Sequence, residues 1–115
     1  MKAEIKNGKI RTFRKNGIIS TEISVHNGQM HGKSKFYNSE GKIWNEVEYK
    51  EGELSGMNII YYPNGKIKLE ETYLDGKRNG ISRCYNDKGV LLVEDTYEKD
   101  ILKERKVKMI GFIYF

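Results

Sequence analysis

The chain has 115 residues, of which 37% are hydrophobic and 32% charged, and its formal net charge is +5. This length corresponds to one domain, and no stretch approaches the roughly 18 consecutive apolar residues that a membrane-spanning helix needs. The single cysteine, Cys84, excludes an internal disulfide and is typical of a reducing compartment, so we expect a cytoplasmic protein.

The positive charge is concentrated in the N-terminal and C-terminal segments. Residues 1–20 contain six Lys or Arg and one Glu, residues 99–115 contain five and two acidic residues, and residues 21–98 contain 10 against 13. A nucleic-acid-binding protein is expected to carry a continuous basic stripe, so a nucleic-acid partner is not expected. Two interpretations remain, namely cations that protect exposed sheet edges and a patch for an acidic partner.

Glycine, aromatic and acidic residues recur at a constant interval of 24 residues. The glycines form three columns: Gly17, Gly41, Gly65 and Gly89; Gly28, Gly52 and Gly76; and Gly8, Gly32, Gly56 and Gly80. The other columns are Phe13, Tyr37, Tyr61 and Tyr85; Val25, Tyr49, Tyr73 and Tyr97; Ile19, Ile43, Ile67 and Leu91; and Glu22, Glu46, Glu70 and Glu94. A fixed period of this size indicates a repeat protein, with repeats over about 9–32, 33–56, 57–80 and 81–104.

Each repeat is predicted to contain one short strand, one long strand and two turns. In the second repeat the short strand covers residues 33–37, a turn follows over 38–41, and the long strand runs over 42–50 before a second turn at 51–56. The first turn has the form of a type I turn followed by a left-handed glycine, Gly41, which is a common hairpin closure. The glycine columns are therefore interpreted as turn residues, since neither a GxGxxG nor a P-loop pattern accompanies them.

Strand parity predicts two faces of different polarity. The odd-numbered positions of the long strands are the more apolar ones, whereas the even positions include the glutamate column. Six tyrosines share the odd parity, so we expect them to line one side of the sheet: Tyr37, Tyr49, Tyr61, Tyr73, Tyr85 and Tyr97. Their rings either form the core or present a partner-binding surface, because tyrosine is enriched in both settings.

The third repeat shows a family resemblance most clearly. Its pattern, Tyr-x-x-Asn-Gly-Lys, then Glu, then Tyr-x-Asp-Gly-Lys-x-x-Gly over residues 61–80, resembles the MORN-variant repeat, and the similarity extends over roughly residues 8–100. The resemblance implies a sheet of β-hairpin repeats and a binding role without a catalytic mechanism. Bacterial proteins of this kind are often grouped as YwqK-like antitoxin proteins. Terminal repeats depart from the pattern, with Val25 in place of tyrosine and Asp100 and Glu104 in place of glycine.

Residues that could support catalysis or metal binding are few. His26 and His31 lie five residues apart in one turn region, whereas a tight metal site needs three or four ligands. Cys84 occupies the position of Phe36 and Ile60 in other repeats and is interpreted as a packing residue. Glutamates at equivalent positions of successive repeats are expected to lie about 10 Å apart, which is too far for the carboxylate pair of a glycosidase. We expect each of them to form a hydrogen bond with the backbone or with a lysine on the facing strand. We expect no enzyme activity, no cofactor and no metal site.

These observations predict an all-β fold, an elongated single-layer antiparallel β-meander of MORN-type hairpin repeats with a 24-residue period. The leading functional hypothesis is a non-catalytic protein-binding module, the antitoxin component that sequesters a toxin. The alternatives are a membrane-surface adaptor for acidic lipids and a self-associating structural protein that forms a homo-oligomer. The apolar segment MIGFIYF, residues 109–115, is either part of a C-terminal cap strand over about 105–115 or an interface covered by a partner.

Overall fold

The computed structural model describes residues 5–108, which form one open antiparallel sheet of eleven strands and contain no helix. The strands are β1 (Gly8–Phe13), β2 (Ile19–His26), β3 (Gln29–Met30), β4 (Gly32–Tyr37), β5 (Ile43–Lys50), β6 (Glu53–Tyr61), β7 (Ile67–Leu74), β8 (Lys77–Arg78), β9 (Gly80–Tyr85), β10 (Leu91–Glu98) and β11 (Ile101–Val107). Their spatial order is β1-β2-β4-β5-β6-β7-β9-β10-β11, with β3 beside β2 and β8 beside β7. The predicted all-β meander of hairpins is confirmed.

The molecule is one layer thick. Its extents are 64 × 35 × 15 Å, and the smallest of them leaves room for a single sheet with side chains on both sides. The strands cross the sheet in chain order, because the short hairpin turns favour pairing between consecutive strands. The two-residue strands β3 and β8 pair with the same strands, β2 and β7, as β4 and β9 that follow them.

The turns at one edge of the sheet have the predicted hairpin geometry. Gly41 has φ 80° and donates its N–H to the carbonyl of Asn38 at 3.0 Å, while the Asn38 N–H bonds the carbonyl of Lys42 at 2.7 Å. The Asn38 side chain adds a bond from the Lys42 N–H to its Oδ1 at 3.0 Å. Asn86 repeats this arrangement with the N–H of Val90. Arg14 and Tyr62 make the same backbone bonds in the other two turns, so the contribution specific to asparagine is the bond to its amide oxygen.

The turns at the opposite edge are bonded to one another. The Gly52 N–H donates to the carbonyl of Met30 at 2.9 Å, and the Gly76 N–H donates to that of Leu54 at 2.8 Å, which joins each turn to the preceding repeat. Asp100 continues the series with φ 69°, so an aspartate adopts the left-handed conformation that glycine adopts in the other repeats. These bonds satisfy turn amides that a single-layer sheet would otherwise leave to water.

A β-bulge recurs in every repeat. Phe36 pairs with Asn45, but the next residue, Tyr37, pairs with Ile43, so that one residue of β4 opposes two of β5. The same register shift occurs where Phe13 pairs with Ile19, Tyr61 with Ile67, and Tyr85 with Leu91. Bulges increase the local twist and redirect side chains, and here they do so at the same position of each hairpin.

Very little of the sheet is buried. Within residues 5–108, Val47 is the one hydrophobic side chain classed as buried, at 6% exposure, and four polar residues are also buried: Glu22, Ser34, Ser82 and Asp95. Large apolar side chains remain exposed on several strands, with Phe13 at 61% and Leu74 at 53%. The sheet alone therefore does not enclose a conventional hydrophobic core.

The two ends of the sheet carry the basic residues that the sequence places there. Among the described residues, β1 and β11 each pair along one side only. β1 contains Lys9 and Arg11, and β11 contains Lys103, Arg105 and Lys106. This placement agrees with cations that protect terminal strands from unwanted pairing. The predicted cap over about 105–115 overlaps the end of β11, and residues 109–115 lie outside the described part of the chain.

Candidate functional site: the glutamate face

The two tyrosine columns lie on opposite faces of the sheet, so the prediction that all six share one side is wrong. Val47 pairs with Ser34 and Asn58, which places odd positions of the long strands beside even positions of the short strands. Residues on one face of the sheet therefore have odd numbers in the long strands and even numbers in the short strands. Tyr49, Tyr73 and Tyr97 share a face with Val47, and Tyr37, Tyr61 and Tyr85 point to the other side.

We call the side that bears Glu22, Glu46, Glu70 and Glu94 the glutamate face. Here the hydroxyl of Tyr61 donates to Oε1 of Glu46 at 2.9 Å, and that of Tyr85 donates to Oε1 of Glu70 at 2.6 Å. Both pairs span fifteen residues, so the contact is repeated with the 24-residue period. The tyrosines are half-buried, which keeps one part of each ring available to solvent.

Burial and the nearby carboxylates make these phenols weak acids. Burial and then the hydrogen bond to Glu46 raise the pKa of Tyr61 to about 12. The bond to Glu70, followed by burial, raises the pKa of Tyr85, and burial followed by the charge of Glu22 raises that of Tyr37. The three hydroxyls are therefore protonated donors at neutral pH.

The glutamate column has different partners from those predicted. Arginine or tyrosine, and not backbone amides, occupies most of these carboxylates: Arg11 bonds Glu22 at 2.9 Å and Arg83 bonds Glu94 at 2.9 Å. Among residues 5–108, a lysine lies within 4 Å of this column only at Glu22, where Lys9 Nζ is 3.5 Å away. The glutamates of this column therefore form structural contacts, as expected, but their partners are arginine and tyrosine side chains on neighbouring strands of the same face.

An open groove of about 500 Å³ lies on this face beside the turn at residues 62–66. It is lined by Lys42, Ile43, Tyr61, Pro63, Asn64 and Gly65. The bulge brings Ile43 to this side, although its odd number assigns it to the opposite face by parity. The groove combines an aliphatic and an aromatic wall with a hydrogen-bonding rim, a composition that is common in recognition surfaces.

The opposite side, which we call the asparagine face, holds a polar chain that sequence reasoning missed. Asn45 Nδ2 donates to Asn58 Oδ1 at 2.8 Å, and Asn58 Nδ2 donates to Glu71 Oε1 at 3.0 Å. The Tyr73 hydroxyl joins the same carboxylate at 3.3 Å. The signal was present in the sequence, because Asn45 and Asn58 interrupt apolar positions in the middle of strands. The two faces therefore differ less in polarity than the odd and even positions of the long strands predict.

The second tyrosine column covers glycines of the adjacent strands. Tyr49 pairs with Gly32, Tyr73 with Gly56 and Tyr97 with Gly80. A ring opposite a glycine covers backbone that would otherwise be open to water. The guanidinium of Arg78 also lies 4.3 Å from the Tyr97 ring centre, close enough for a cation–π contact. These tyrosines are therefore occupied by contacts within the sheet.

His26, His31 and Cys84, the residues considered above for catalysis or metal binding, contact other residues of the sheet and its turns. The His26 and His31 ring centres are 5.5 Å apart, and His31 Nδ1 accepts the Glu51 N–H at 3.2 Å. Cys84 pairs with Leu69 and Val93, and burial raises the pKa of its thiol, which disfavours the nucleophilic thiolate. No three or more His, Cys, Asp or Glu side chains between residues 5 and 108 are grouped to hold a metal ion. The described segment likewise offers no helix capable of crossing a membrane.

The comparisons with known proteins agree with the hairpin architecture. The model of the MORN repeat variant matches residues 30–51 and 54–75. These segments contain β4, β5, β7 and all of β6 except Glu53, together with the turn between β4 and β5 and the turn between β6 and β7. No curated protein matches the chain. The two segments that build the centre of the glutamate face are thus similar to the MORN repeat variant.

Proposed function

We propose that the chain is a non-catalytic protein-binding module that presents its glutamate face to a partner. The observation that carries this proposal is the thin core: Val47 is the one buried hydrophobic side chain of the described residues. A sheet normally buries one face against a second layer. A partner would supply that layer, in agreement with the general role of MORN repeats as protein- or membrane-binding modules.

The glutamate face suits this role better than the asparagine face. Tyr61 and Tyr85 are held by carboxylates, so their rings present area at little cost in side-chain entropy. Tyr61 also lines the groove, together with Ile43 and Pro63. On the asparagine face, by contrast, the tyrosines cover glycines and the central amides bond one another.

A protein partner is supported over a lipid surface by the placement of the cations. β1 and β11 stand at opposite ends of a path of nine strands, about 40 Å apart at the usual strand spacing. That separation is several times the Debye length at physiological salt, so the two ends act independently. Arg11 and Arg105 are moreover engaged by Glu22 and Asp95.

The specific role we propose is that of a cytoplasmic antitoxin, on the resemblance to YwqK-like proteins. The test is co-expression with the protein encoded by the neighbouring reading frame. We expect relief of growth arrest and a stoichiometric complex on purification. Ile43→Asp should weaken the complex because it places a charge in the groove, whereas Leu74→Asp, at the opposite edge of the same face, should not.

Two results would count against these proposals in different ways. Growth arrest that the chain does not relieve would contradict the antitoxin role alone. A complex that survives Ile43→Asp unchanged would contradict the glutamate face as the binding surface. Flotation with anionic vesicles that is lost at moderate salt would instead support the membrane-surface alternative.

A further inference from the structure

Charges alternate in sign along one row of the glutamate face, with a single interruption. Across the sheet, cross-strand neighbours in this row are Arg11, Glu22, Lys35, Glu46, Ile59, Glu70, Arg83, Glu94 and Lys106. Ile59 stands at the repeat position that Arg11, Lys35 and Arg83 occupy in the other repeats. The third repeat therefore lacks the cation that its neighbours have.

The two carboxylates beside Ile59 are correspondingly short of positive charge. Within the described residues, Glu46 forms no ion pair within 4 Å, and the Tyr61 hydroxyl is its side-chain donor. Glu70 lies 3.6 Å from Arg83, but Arg83 makes its closer contact, 2.9 Å, with Glu94. Glu46 and Glu70 each face one basic residue, Lys35 or Arg83, whereas Glu22 and Glu94 each face two. Opposite charges on facing strands stabilise each other, so a cation beside Ile59 would restore the second basic neighbour.

Apolar surface adjoins Glu46, the first of these two carboxylates. The Tyr61–Glu46 hydrogen bond connects Glu46 to the groove that contains Ile43 and Pro63. On its other side, Glu46 borders a hollow of about 60 Å³ that Met57 and Ile59 also line. A ligand at this place would meet acidic and apolar groups together.

We propose that the centre of the glutamate face binds a partner segment that places a Lys or Arg side chain beside Glu46 and Glu70 and an apolar side chain in the groove. The proposal rests on the protein-binding function above and adds the chemistry of the partner. The partner's cation takes the position that Arg11, Lys35 and Arg83 occupy in the other repeats, and Ile59 contacts its aliphatic stem. The chain as a whole is cationic, at +5, so attraction of a basic segment must come from this local acidic site.

The test uses two labelled peptides and fluorescence anisotropy with the full chain. One peptide is acetyl-Val-Lys-Val-Lys-Val-Lys-Val-amide, and the other has Glu in place of each Lys. We expect the lysine peptide to bind at least tenfold more tightly, with an affinity that falls as salt is added. Glu46→Gln with Glu70→Gln should lower that affinity about tenfold, because both carboxylate charges are removed while the shapes are kept.

Ile59→Lys supplies the missing cation from within the chain and gives a second readout. We expect it to reduce binding of the lysine peptide at least tenfold and to leave the melting temperature unchanged or raised. Leu74→Lys adds the same charge to the exposed opposite edge of the face and should change affinity less than twofold.

Equal affinity for the two peptides, or lysine-peptide binding that the glutamine variants do not alter, would overturn the proposal. If Ile59→Lys lowers the melting temperature and retains binding, Ile59 is a packing residue and the proposal also fails. Should that variant not fold, the isosteric glutamine pair decides. None of these outcomes affects the co-expression result, so the binding function and the nature of its partner are tested separately.

Discussion

The Tyr61 hydroxyl bonds Glu46 at 2.9 Å across two adjacent hairpins, and Tyr85 bonds Glu70 in the same way one repeat later. Each pair connects the aromatic column of one repeat to the acidic column of the preceding repeat. The tyrosines and glutamates of these two columns therefore connect successive repeats by hydrogen bonds, on the face that we propose binds the partner.

Removal of the Tyr61 hydroxyl should destabilise the sheet. Tyr61→Phe deletes a half-buried hydrogen bond to a charged acceptor, and we expect a loss of about 1 kcal/mol in the free energy of unfolding. Urea unfolding monitored by circular dichroism measures it. Tyr49→Phe is the matched control, because its hydroxyl makes no hydrogen bond within residues 5–108, and it should cost less than about 0.5 kcal/mol. Equal losses in the two variants would contradict the importance of the bond.

Stability should fall at alkaline pH because of the same residue. The pKa of Tyr61 is raised to about 12 in the folded state, against an ordinary value of 10.0, so the folded chain holds its proton more tightly than the unfolded chain. The resulting stabilisation is complete below pH 10 and is lost as pH rises from 10 to 12. Unfolding curves across this range, with absorbance at 295 nm, should show a steeper decline for the wild type than for Tyr61→Phe. Equal decreases in the stability of the two proteins between pH 10 and 12 would contradict this role of Tyr61.

The pair formed by Asp95 and Arg105 should control stability at acidic pH. Arg105 Nε and Nη2 bond the two oxygens of buried Asp95 at 2.8 and 2.9 Å, and this contact lowers the pKa of the Asp95 carboxyl. The stabilisation is present above the ordinary pKa, near 4, and is lost as pH falls through the lower folded value.

Arg105→Met should therefore lower the melting temperature by several degrees at pH 7, and the deficit should shrink as the pH approaches 3. Lys106→Met, on the same strand, removes an exposed contact of 3.8 Å with Glu104 and the charge that faces Glu94, and it leaves Asp95 paired. Because these are exposed interactions, it should have little effect. A deficit that is constant from pH 7 to pH 3 would show that Asp95 is not the group responsible.

Two turn positions should accept stabilising substitutions. Glu51 and Lys99 have φ values of 48° and 49°, a left-handed conformation that asparagine adopts more readily. Glu51→Asn and Lys99→Asn should each raise the free energy of unfolding by about 0.5 kcal/mol. Asp75→Asn, at the equivalent turn, should be nearly neutral because aspartate already tolerates φ 48°. Thermal unfolding of the three variants measures these changes in stability. An increase in stability for Asp75→Asn alone would contradict the prediction.

The hydroxyl of Ser34 should be dispensable. Its side chain is fully buried and its Oγ has no hydrogen-bond partner among residues 5–108, so its loss removes a desolvation penalty. Ser34→Ala should be neutral or stabilising by up to about 1 kcal/mol. Ser24→Ala, which removes the 2.8 Å bond from Ser24 Oγ to the carbonyl of Lys33, should be destabilising. Chemical unfolding distinguishes them, and a marked loss in Ser34→Ala would reveal a partner for that hydroxyl.

Much of the architecture follows from sequence because turns are local. The sequence at residues 38–41 predicts both the hairpin and the left-handed conformation of Gly41, since neither depends on distant residues. The second turn is predicted over residues 51–56, but the structure restricts it to Glu51 and Gly52, both at positive φ, and begins β6 at Glu53. The interval of 24 residues then extends these local predictions to the whole sheet.

The face on which each side chain lies does not follow in the same way. Parity assigns Tyr61 and Tyr73 to one side, but the register across the turn reverses parity, and a bulge moves Ile43 again. Register is a relation between strands, so neither strand contains it alone. The partners of the glutamates were missed for the same reason, since Tyr61 approaches Glu46 only once that register is set.

The sequence by itself determined the repeat, the turns and the single-layer meander, because glycine and asparagine at fixed spacing constrain the backbone locally. Only the tertiary structure decided which tyrosines share a face with the glutamates, and that Ile59 interrupts the alternation of charge there. Those features arise from the pairing of strands, where one residue of register is enough to move a side chain from one side of the sheet to the other.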